Sequence, residues 1–376
     1  MEEDSVVYFK SQAEGYERAH LFKKAAFSSE HDRLEKEDDY RMPYRRDVDA
    51  IIHSNALART LDKTQVLYLI ANDHVSSRGL HIQLVSNLSR GLAIGLKLNS
   101  DLVEAIALGH DVGHPPFGHE GESYLSSLSS ENGGGAFSHA SHACRIFSSI
   151  EPLNLSLAVY DGILCHDGGL SSAILKPSFK KNFSIYKLEY AEKQKDPTYA
   201  FLPMTLEGCL VRLCDTISYV GRDIEDAVRL KLIQRKDIPS THLGRTNQEI
   251  IRYLYQDILR NSFEKDYIAL SRKAFLALKT LREFNFKRIY RHPRVLDKST
   301  QIKEGYCFLF DYLLQNTQAE KKKSVLWRSF LHDKSEAYLK ETLEVQQVVD
   351  FIAGMTDGYF LRLLNALQGE KPCLNL

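Results

Sequence analysis

The sequence predicts an all-α protein with a helical core and further helices after it. In several long stretches apolar residues recur three and four positions apart, whereas the strict alternation typical of β-strands is scarce. The chain has 376 residues, which is enough to bury a sizeable core. Helix packing is therefore expected to supply most of the stabilising contacts.

The helical pattern begins near Val48. It continues through VDAIIHSNALARTL at residues 48–61 and LHIQLVSNLSRGLAIGLKL at residues 80–98. The next stretch, NSDLVEAIALGHDVGH at residues 99–114, predicts a helix with Ser100 or Asp101 as its N-cap.

A less regular region separates these helices from the later ones. The segment ENGGGAF at residues 131–137 predicts a flexible loop, and residues 168–203 mix lysines, aromatics and prolines without steady periodicity. We interpret residues 168–203 as an insertion that flanks a pocket. Helical patterning returns at residues 204–233 and again at residues 344–367.

These patterns divide the chain into three parts. Residues 1–43 predict a charged N-terminal arm, residues 44–230 a helical core that includes the insertion, and residues 231–376 a C-terminal helical region packed on the core.

Composition excludes several classes of protein. Lysine plus arginine and aspartate plus glutamate both number 49, so the whole chain is not a general binder of nucleic acid or acidic membranes. The six cysteines are scattered without a CxxC pair, and the N-terminus lacks the apolar segment of a signal peptide. We therefore expect a reduced, cytoplasmic protein that does not span a membrane.

The stretch ALGHDVGHPPFGHEGE at residues 107–122 concentrates the chemically active side chains. His110 and His114 are four residues apart, as in a zinc-protease helix, but that motif needs the helix to continue through both histidines. Gly113 weakens the helix and Pro115 disfavours α conformation at His114. The zinc-protease interpretation is therefore disfavoured.

We expect the helix instead to end at His110 and Asp111, which would place a nitrogen and an oxygen ligand side by side. The Gly/Pro loop would then return His119 and Glu122 to the same place. A mixed histidine and aspartate set suits Mn, Fe, Ni, Zn or Mg, and further ligands must come from elsewhere in the chain. His114 is expected to be a structural residue.

The motif resembles the signature of HD-domain deoxynucleoside triphosphate triphosphohydrolases of the dGTPase type. Four other stretches match this family in the same order, namely HSNALARTLDKTQV (53–66), SRGLHIQLVSNLSRGLA (77–93), FSHASHACRI (137–146) and CDTISYVGRDIEDA (214–227). The resemblance spans about residues 44–230 and implies an HD-domain helical core. The C-terminal third shows no match.

The resemblance implies roles for eleven residues. One divalent metal ion would be held by His81, His110, Asp111 and Asp215. His119, assisted by Glu122, would be the catalytic acid or base, and the three-residue spacing places both on one helix face. The substrate contacts implied are Gln65, Arg78, His139, Tyr219 and Asp223.

Four of the five substrate contacts have a plainer alternative. Arg78 could form an ordinary salt bridge, Gln65 could be a surface amide, and Tyr219 could be a core aromatic. Asp223 could instead pair with Arg222, one residue before it.

The resemblance implies hydrolysis of dGTP or another dNTP to deoxynucleoside and tripolyphosphate, by water attack at the α-phosphorus. Two alternatives remain open: another HD-type nucleotidase or phosphodiesterase, and a nucleotide-binding regulator without turnover. A homo-oligomer, tetrameric or hexameric, with a possible nucleotide effector is also implied.

Overall fold

The all-α prediction is confirmed by the computed structural model, which describes residues 2–28, 41–66, 75–316 and 323–369. Within these ranges the only sheet pairs β1 (Ile174–Leu175) with β2 (Ile268–Ala269) in antiparallel orientation. No helix in the described ranges combines the length and hydropathy that a bilayer-crossing segment requires.

Ten helices lie between Glu2 and Arg229 within the described residues. They are α1 (Glu2–His20), α2 (Pro43–Ile52), α3 (Asn55–Arg59), α4 (Arg78–Leu96), α5 (Ser100–Gly109), α6 (Gly118–Glu131), α7 (His139–Arg145), α8 (Leu157–Leu164), α9 (Phe183–Lys195) and α10 (Leu206–Arg229). Short 3-10 or π turns follow α3 at Thr60–Asp62 and α7 at Ile146–Ile150.

The second half continues with α11 (Asn247–Ser262), α12 (Arg272–Asn285), α13 (Pro293–Leu296), α14 (Ser299–Gln315), α15 (Val325–Ser329), α16 (Glu336–Glu341), α17 (Glu344–Ala353) and α18 (Asp357–Gln368). A π turn at Phe286–Tyr290 extends α12, and 3-10 turns lie at Arg235–Asp237 and Leu331–Asp333.

Helix α5 is the centre of the core. Its residues from Leu102 to Gly109 are all buried, and it packs against α2, α4, α8 and α10. Asn99 caps the helix by accepting hydrogen bonds from the amides of Asp101 and Leu102. The predicted N-cap at Ser100 or Asp101 is therefore wrong by one or two residues, because the asparagine side chain satisfies the free amides of the first turn.

The predicted N-terminal arm is only partly described, because residues 29–40 lie outside the described ranges. The helix α1 within it is tied to the core through Glu17, which accepts a hydrogen bond of 3.0 Å from the side chain of Asn99. The predicted insertion at 168–203 contains β1 and α9. Buried Lys193 of α9 pairs with Asp167 at 2.6 Å and fastens this segment beside the end of α8.

The C-terminal helices hold the segment that carries the His-Asp motif. Asp357, in the first turn of α18, accepts hydrogen bonds from the amides of Phe117, at 3.1 Å, and Thr64, at 3.0 Å. Buried Lys63 donates to the carbonyl oxygens of His114, at 2.6 Å, and Ala353, at 2.7 Å. The loop after α5 is therefore fixed from two sides.

Candidate metal centre and active site

His110 lies immediately after the last residue of α5. Its Nδ1 donates a hydrogen bond of 2.7 Å to the carbonyl oxygen of Ala107, one of the helix-end carbonyls that lacks a partner within the helix. The ring is fully buried, and its Nε2 has no hydrogen-bond partner in the described structure. This arrangement leaves a lone pair on Nε2, which is the form of histidine that binds metal ions.

Three other predicted ligands converge on this nitrogen. Asp111 follows His110 directly, His81 lies in the first turn of α4, and Asp215 lies on α10. The His110 Nε2 is 3.5 Å from Asp111 Oδ1 and 3.8 Å from Asp215 Oδ1. His81 Nε2 is 3.0 Å from the same Asp215 oxygen and 3.8 Å from Asp111 Oδ2. We call His81, His110, Asp111 and Asp215 the metal set.

The electrostatics of the metal set favour ionised carboxylates and a neutral His110. Burial alone would raise the pKa of Asp111, but the neighbouring His110, Arg78 and His114 hold it well below its usual range. Burial would likewise raise the pKa of Asp215, and the hydrogen bond from His81 lowers it. Burial lowers the pKa of His110. Neutral imidazole and ionised carboxylate are the states that bind a divalent cation.

The metal set therefore fits one divalent cation. His81, His110 and Asp215 offer ligand atoms that lie within 4.8 Å of one another, and Asp111 Oδ1 lies 3.5 Å from His110 Nε2. The unpartnered His110 Nε2 is a buried lone pair that a cation would satisfy. Imidazole with carboxylate is compatible with Mn, Fe, Ni, Zn or Mg.

The loop between α5 and α6 reverses the chain sharply. Phe117 and Gly118 both adopt left-handed backbone angles, with φ of 61° and 59°. A Cβ at Gly113 would lie 2.1 Å from the carbonyl oxygen of His139, so only glycine fits where this loop crosses α7. The reversal starts α6 at Gly118 and returns His119 and Glu122 towards the metal set.

His119 and Glu122 form the predicted pair. His119 Nδ1 donates to Glu122 Oε2 at 2.9 Å, and the His119 side chain is 74% exposed. The other carboxylate oxygen, Oε1, accepts from both the backbone amide of His139, at 2.7 Å, and its Nδ1, at 2.8 Å. Burial would raise the pKa of Glu122, but the charge on His139 and the hydrogen bonds from both histidines lower it well below its usual range.

The five predicted substrate contacts face one cavity of about 1090 Å³, together with most of the metal set and with His119 and Glu122. His110 is the one predicted residue that lies behind the cavity wall. This common cavity brings all three predicted groups of residues to one place.

The structure also bears on the alternative roles of Arg78, Gln65 and Asp223. Arg78 forms a buried ion pair with Asp111, so its salt bridge lies inside the site. The Oε1 atom of Gln65 is buried without a hydrogen-bond partner. Asp223 accepts a hydrogen bond of 2.6 Å from Tyr290, and Arg222 pairs with Asp226 instead.

Residues beyond the predicted core complete the cavity. Its wall includes residues of α12 and of the turn after it, among them four cations, Lys279, Arg282, Lys287 and Arg291. Sequence reasoning missed them because the C-terminal third carried no recognisable motif.

Sequence reasoning also missed His166. It lies directly after the last turn of α8, lines the cavity, and is 2% exposed. The signal was present in the sequence: CHD at residues 165–167 is a second His-Asp doublet at the end of an apolar helix.

Two profiles of known domains match the chain. A profile of the HD domain matches residues 78–219, which include the metal set, and a profile of a phosphohydrolase-associated domain matches residues 268–366. The second match covers the C-terminal region that sequence reasoning left unmatched.

Relatives match over most of the chain. A deoxyguanosinetriphosphate triphosphohydrolase-like protein of Caldanaerobacter subterraneus is 33% identical, covering 88% of this chain and 86% of the relative. A protein of the same description from Clostridium tetani is 34% identical, covering 90% and 88%. Among solved structures, a hypothetical protein from Aquifex aeolicus aligns with a TM-score of 0.42 and 18% identity, over 81% of this chain and 70% of that one.

Proposed function

The chain belongs to the dGTP triphosphohydrolase-like family of HD-domain phosphohydrolases, and from this premise we propose that it hydrolyses dNTPs to deoxynucleoside and tripolyphosphate. Water would attack the α-phosphorus, and the bond from that phosphorus to the 5′ oxygen would break. One observation carries the proposal: three of the four residues of the metal set, the His119–Glu122 pair and four cationic side chains border one cavity of about 1090 Å³.

The charge of the cavity suits a triphosphate. A nucleoside triphosphate carries about four negative charges, which repel a nucleophile unless the site neutralises them. A divalent cation held by His81, His110, Asp111 and Asp215 would supply charge neutralisation and lower the pKa of a bound water. Arg78 lies beside Asp111 and would contact the α-phosphate. Arg282 and Lys287 border the same cavity and would contact the outer phosphates.

His119 would donate a proton to the leaving 5′ oxygen. Its Nδ1 is held by Glu122, so its Nε2 is the free ring nitrogen, and the exposed ring borders the cavity. The carboxylate stabilises the protonated imidazole and fixes the direction of the ring. As Nε2 gives up its proton, the 5′ oxygen becomes the hydroxyl of the deoxynucleoside.

The residues of α10 that line the cavity would contact the deoxyribose. Tyr219 and Asp223 lie four residues apart on α10, and Tyr290 donates to Asp223 from the turn after α12. Burial raises the pKa of Asp223 to about 7, so this carboxyl is close to half protonated near neutral pH. It can therefore accept from, or donate to, a sugar hydroxyl.

The identity of the products tests the proposal. The protein is incubated with each dNTP and Mn²⁺ or Mg²⁺, and tripolyphosphate, pyrophosphate and phosphate are separated by ion exchange. We expect deoxynucleoside and tripolyphosphate in equal amounts, and no turnover by Asp111→Ala. Release of phosphate or pyrophosphate alone would favour another HD-type nucleotidase or phosphodiesterase, and nucleotide binding without products would favour a regulator.

We further propose a cytoplasmic protein that assembles as a tetramer or hexamer with a possible nucleotide effector. Light scattering coupled to size exclusion, with and without added dNTPs, measures the mass of the assembly. A single monomer mass under all conditions would contradict this part of the proposal.

A further inference from the structure

A second cavity, of about 270 Å³, lies beside the cavity that would hold the dNTP. Its walls are the loop after α8, the segment after α9 and the side chain of Arg282. Asp167, Gly169 and Arg282 border both cavities. We call the smaller space the glycine-loop pocket, after Gly168 and Gly169. No residue of the metal set lines it, and neither His119 nor Glu122 does.

The guanidinium of Arg212 lies directly behind this pocket. A Cβ at Gly168 would lie 2.0 Å from its Nη2, so only glycine fits over the guanidinium. The same Nη2 is 3.5 Å from the hydroxyl of Ser171, which also lines the pocket. Arg212 therefore contacts the pocket wall at two neighbouring positions.

The charge of Arg212 is buried and has no carboxylate beside it. The residue is 2% exposed, and within the described ranges it forms no ion pair. Its only hydrogen bond shorter than 3.5 Å in those ranges donates to the carbonyl oxygen of Phe201, at 2.9 Å, and its Nε has no partner there. Burial lowers the pKa of Arg212. Arg145, by contrast, pairs with the carboxylate of Asp350 at 2.8 Å. Because an unpaired buried charge is costly, an anion close to Arg212 would stabilise it.

The front of the pocket offers further hydrogen-bond donors. Arg282 forms no ion pair with any described carboxylate, and its Nη2 lies 3.3 Å from the position that a Cβ of Gly169 would occupy. The amides of Gly168, Gly169 and Ser171 donate no hydrogen bond to any described group. Two guanidinium groups, a hydroxyl and three unpaired amides thus lie in or directly behind the walls of one small pocket.

Asp167 is the only carboxylate in the wall of this pocket, and it is already neutralised. It pairs with the buried ammonium of Lys193 at 2.6 Å. Apart from this pair and Arg282, the lining residues carry no charge. The pocket therefore keeps the positive charge of Arg282 and, behind Gly168, that of Arg212.

We propose that the glycine-loop pocket binds a phosphate group, supplied by orthophosphate or by one end of a tripolyphosphate. Guanidinium groups match the geometry of phosphate oxygens, and free backbone amides add donors for an anion. Because Arg282 borders both cavities, the bound group would lie next to the space for the outer phosphates of a dNTP. This site goes beyond the proposed function, since binding an anion there needs no turnover.

The binding of phosphate to the full chain tests the proposal. The metal is removed with a chelator so that it cannot bind the anion, and radiolabelled orthophosphate is counted by equilibrium dialysis. Ser171→Asp would place a carboxylate beside Arg212, so we expect this variant to lose one phosphate site per chain. It should also have a higher Tm, because the new carboxylate supplies the missing counter-ion.

Ser172→Asp is the matched control, because Ser172 is the next residue and is also exposed but does not line the pocket. It should bind as much phosphate as the wild type. Thr198→Asp is a second variant, which changes the pocket wall from the segment after α9. It should also lose one phosphate site, and circular dichroism verifies that each variant is folded.

A second set of measurements replaces orthophosphate with tripolyphosphate. If tripolyphosphate binds more tightly and Ser171→Asp weakens it by about 10-fold or more, the ligand is the product of the proposed reaction. If only orthophosphate binding depends on Ser171, free phosphate is the ligand. No phosphate bound by the wild type, or equal numbers of sites in the wild type and the folded pocket variants, would overturn the proposal. Neither result would bear on the proposed function, which the products of turnover test.

Discussion

Glu122 connects two histidines through its two carboxylate oxygens. Oε2 accepts from His119 and Oε1 accepts from His139, at 2.9 Å and 2.8 Å. The sequence predicts the first pairing, because residues 119 and 122 share a helix face. The second depends on how α7 packs against α6, which local spacing does not indicate.

Replacing Glu122 with glutamine tests the proton-transfer role. We expect kcat to fall about 100-fold or more, because the amide cannot stabilise a protonated His119. Metal content should stay at the wild-type value, since Glu122 is not a member of the metal set. Steady-state kinetics and metal analysis measure the two quantities. Glu131→Gln, an exposed position at the end of the same helix, is the control. An unchanged kcat in Glu122→Gln would remove the pair from the mechanism.

Asp223 predicts a pH dependence of stability. Burial raises its pKa from 3.8 to about 7 in the folded protein. The unfolded chain therefore loses this proton near pH 4, while the folded chain keeps it until about pH 7. Since the unfolded state binds fewer protons in that window, this carboxyl lowers stability as the pH rises through it.

We therefore compare the wild type with Asp223→Asn by urea unfolding of the metal-free protein. From pH 5 to pH 7 the free energy of unfolding of the wild type should fall by about 2 kcal/mol relative to the variant, at about 1.4 kcal/mol per pKa unit. Parallel curves for the two proteins would contradict a buried, protonated Asp223.

Local sequence patterns did not show which distant residues come together in the site. His81 and Asp215 are 134 positions apart, and only the family resemblance indicated that they meet. His166 gave the same local signal as His110, a histidine and an aspartate after an apolar helix. That signal indicates a site residue only when α5 and α8 are known to pack against each other.

At the scale of elements, the loop from His110 to His119 depends on α18. Asp357 accepts from the amides of Thr64 and Phe117 and from the Thr64 hydroxyl. These bonds support the left-handed turn at Phe117, because they fix the amide of the strained residue. The tight turn is predicted by its prolines and glycines, but its partner, about 240 residues later, is not.

Substituting Asp357 with alanine should loosen this loop. Hydrogen bonds to a charged acceptor contribute about 1.5 to 3 kcal/mol each, so the loss of three of them should lower the free energy of unfolding by at least about 3 kcal/mol. Chemical denaturation measures this loss, and a fall in kcat should accompany it. The exposed Asp333→Ala gives the baseline. A loss equal to that of the control would show that the loop holds its shape without α18.

Helix α9 was not predicted from the sequence. It buries only Tyr186 and Lys193, so it lacks the apolar stripe by which helices are recognised. Its position depends on ion pairs of Lys193 and Lys181 with acidic residues of the core. Such pairs involve specific partners distant in sequence, which periodicity does not reveal.

For the whole molecule, the C-terminal region forms one wall of the cavity. Arg282 and Lys287 line the same cavity as His81, Asp111 and Asp215 of the metal set. The spacing of apolar residues predicted further helices in this region but gave no reason to connect them with the site, because the cations are spread among ordinary surface charges.

Arg282→Ala tests whether this wall binds phosphate. We expect KM for the dNTP to rise about 10-fold, corresponding to about 1.4 kcal/mol, with a smaller change in kcat. Arg288→Ala is the matched control, since Arg288 lies on the turn after α12 and is not part of the cavity wall. Equal KM values for the two variants would argue against phosphate contact by Arg282.

The central claim is that water attacks the α-phosphorus at this His-Asp site. The most direct measurement is turnover in ¹⁸O-labelled water followed by mass spectrometry of both products. The account predicts one ¹⁸O atom in tripolyphosphate and none in the deoxynucleoside. Label in the deoxynucleoside, or in released phosphate or pyrophosphate with no tripolyphosphate formed, would contradict it.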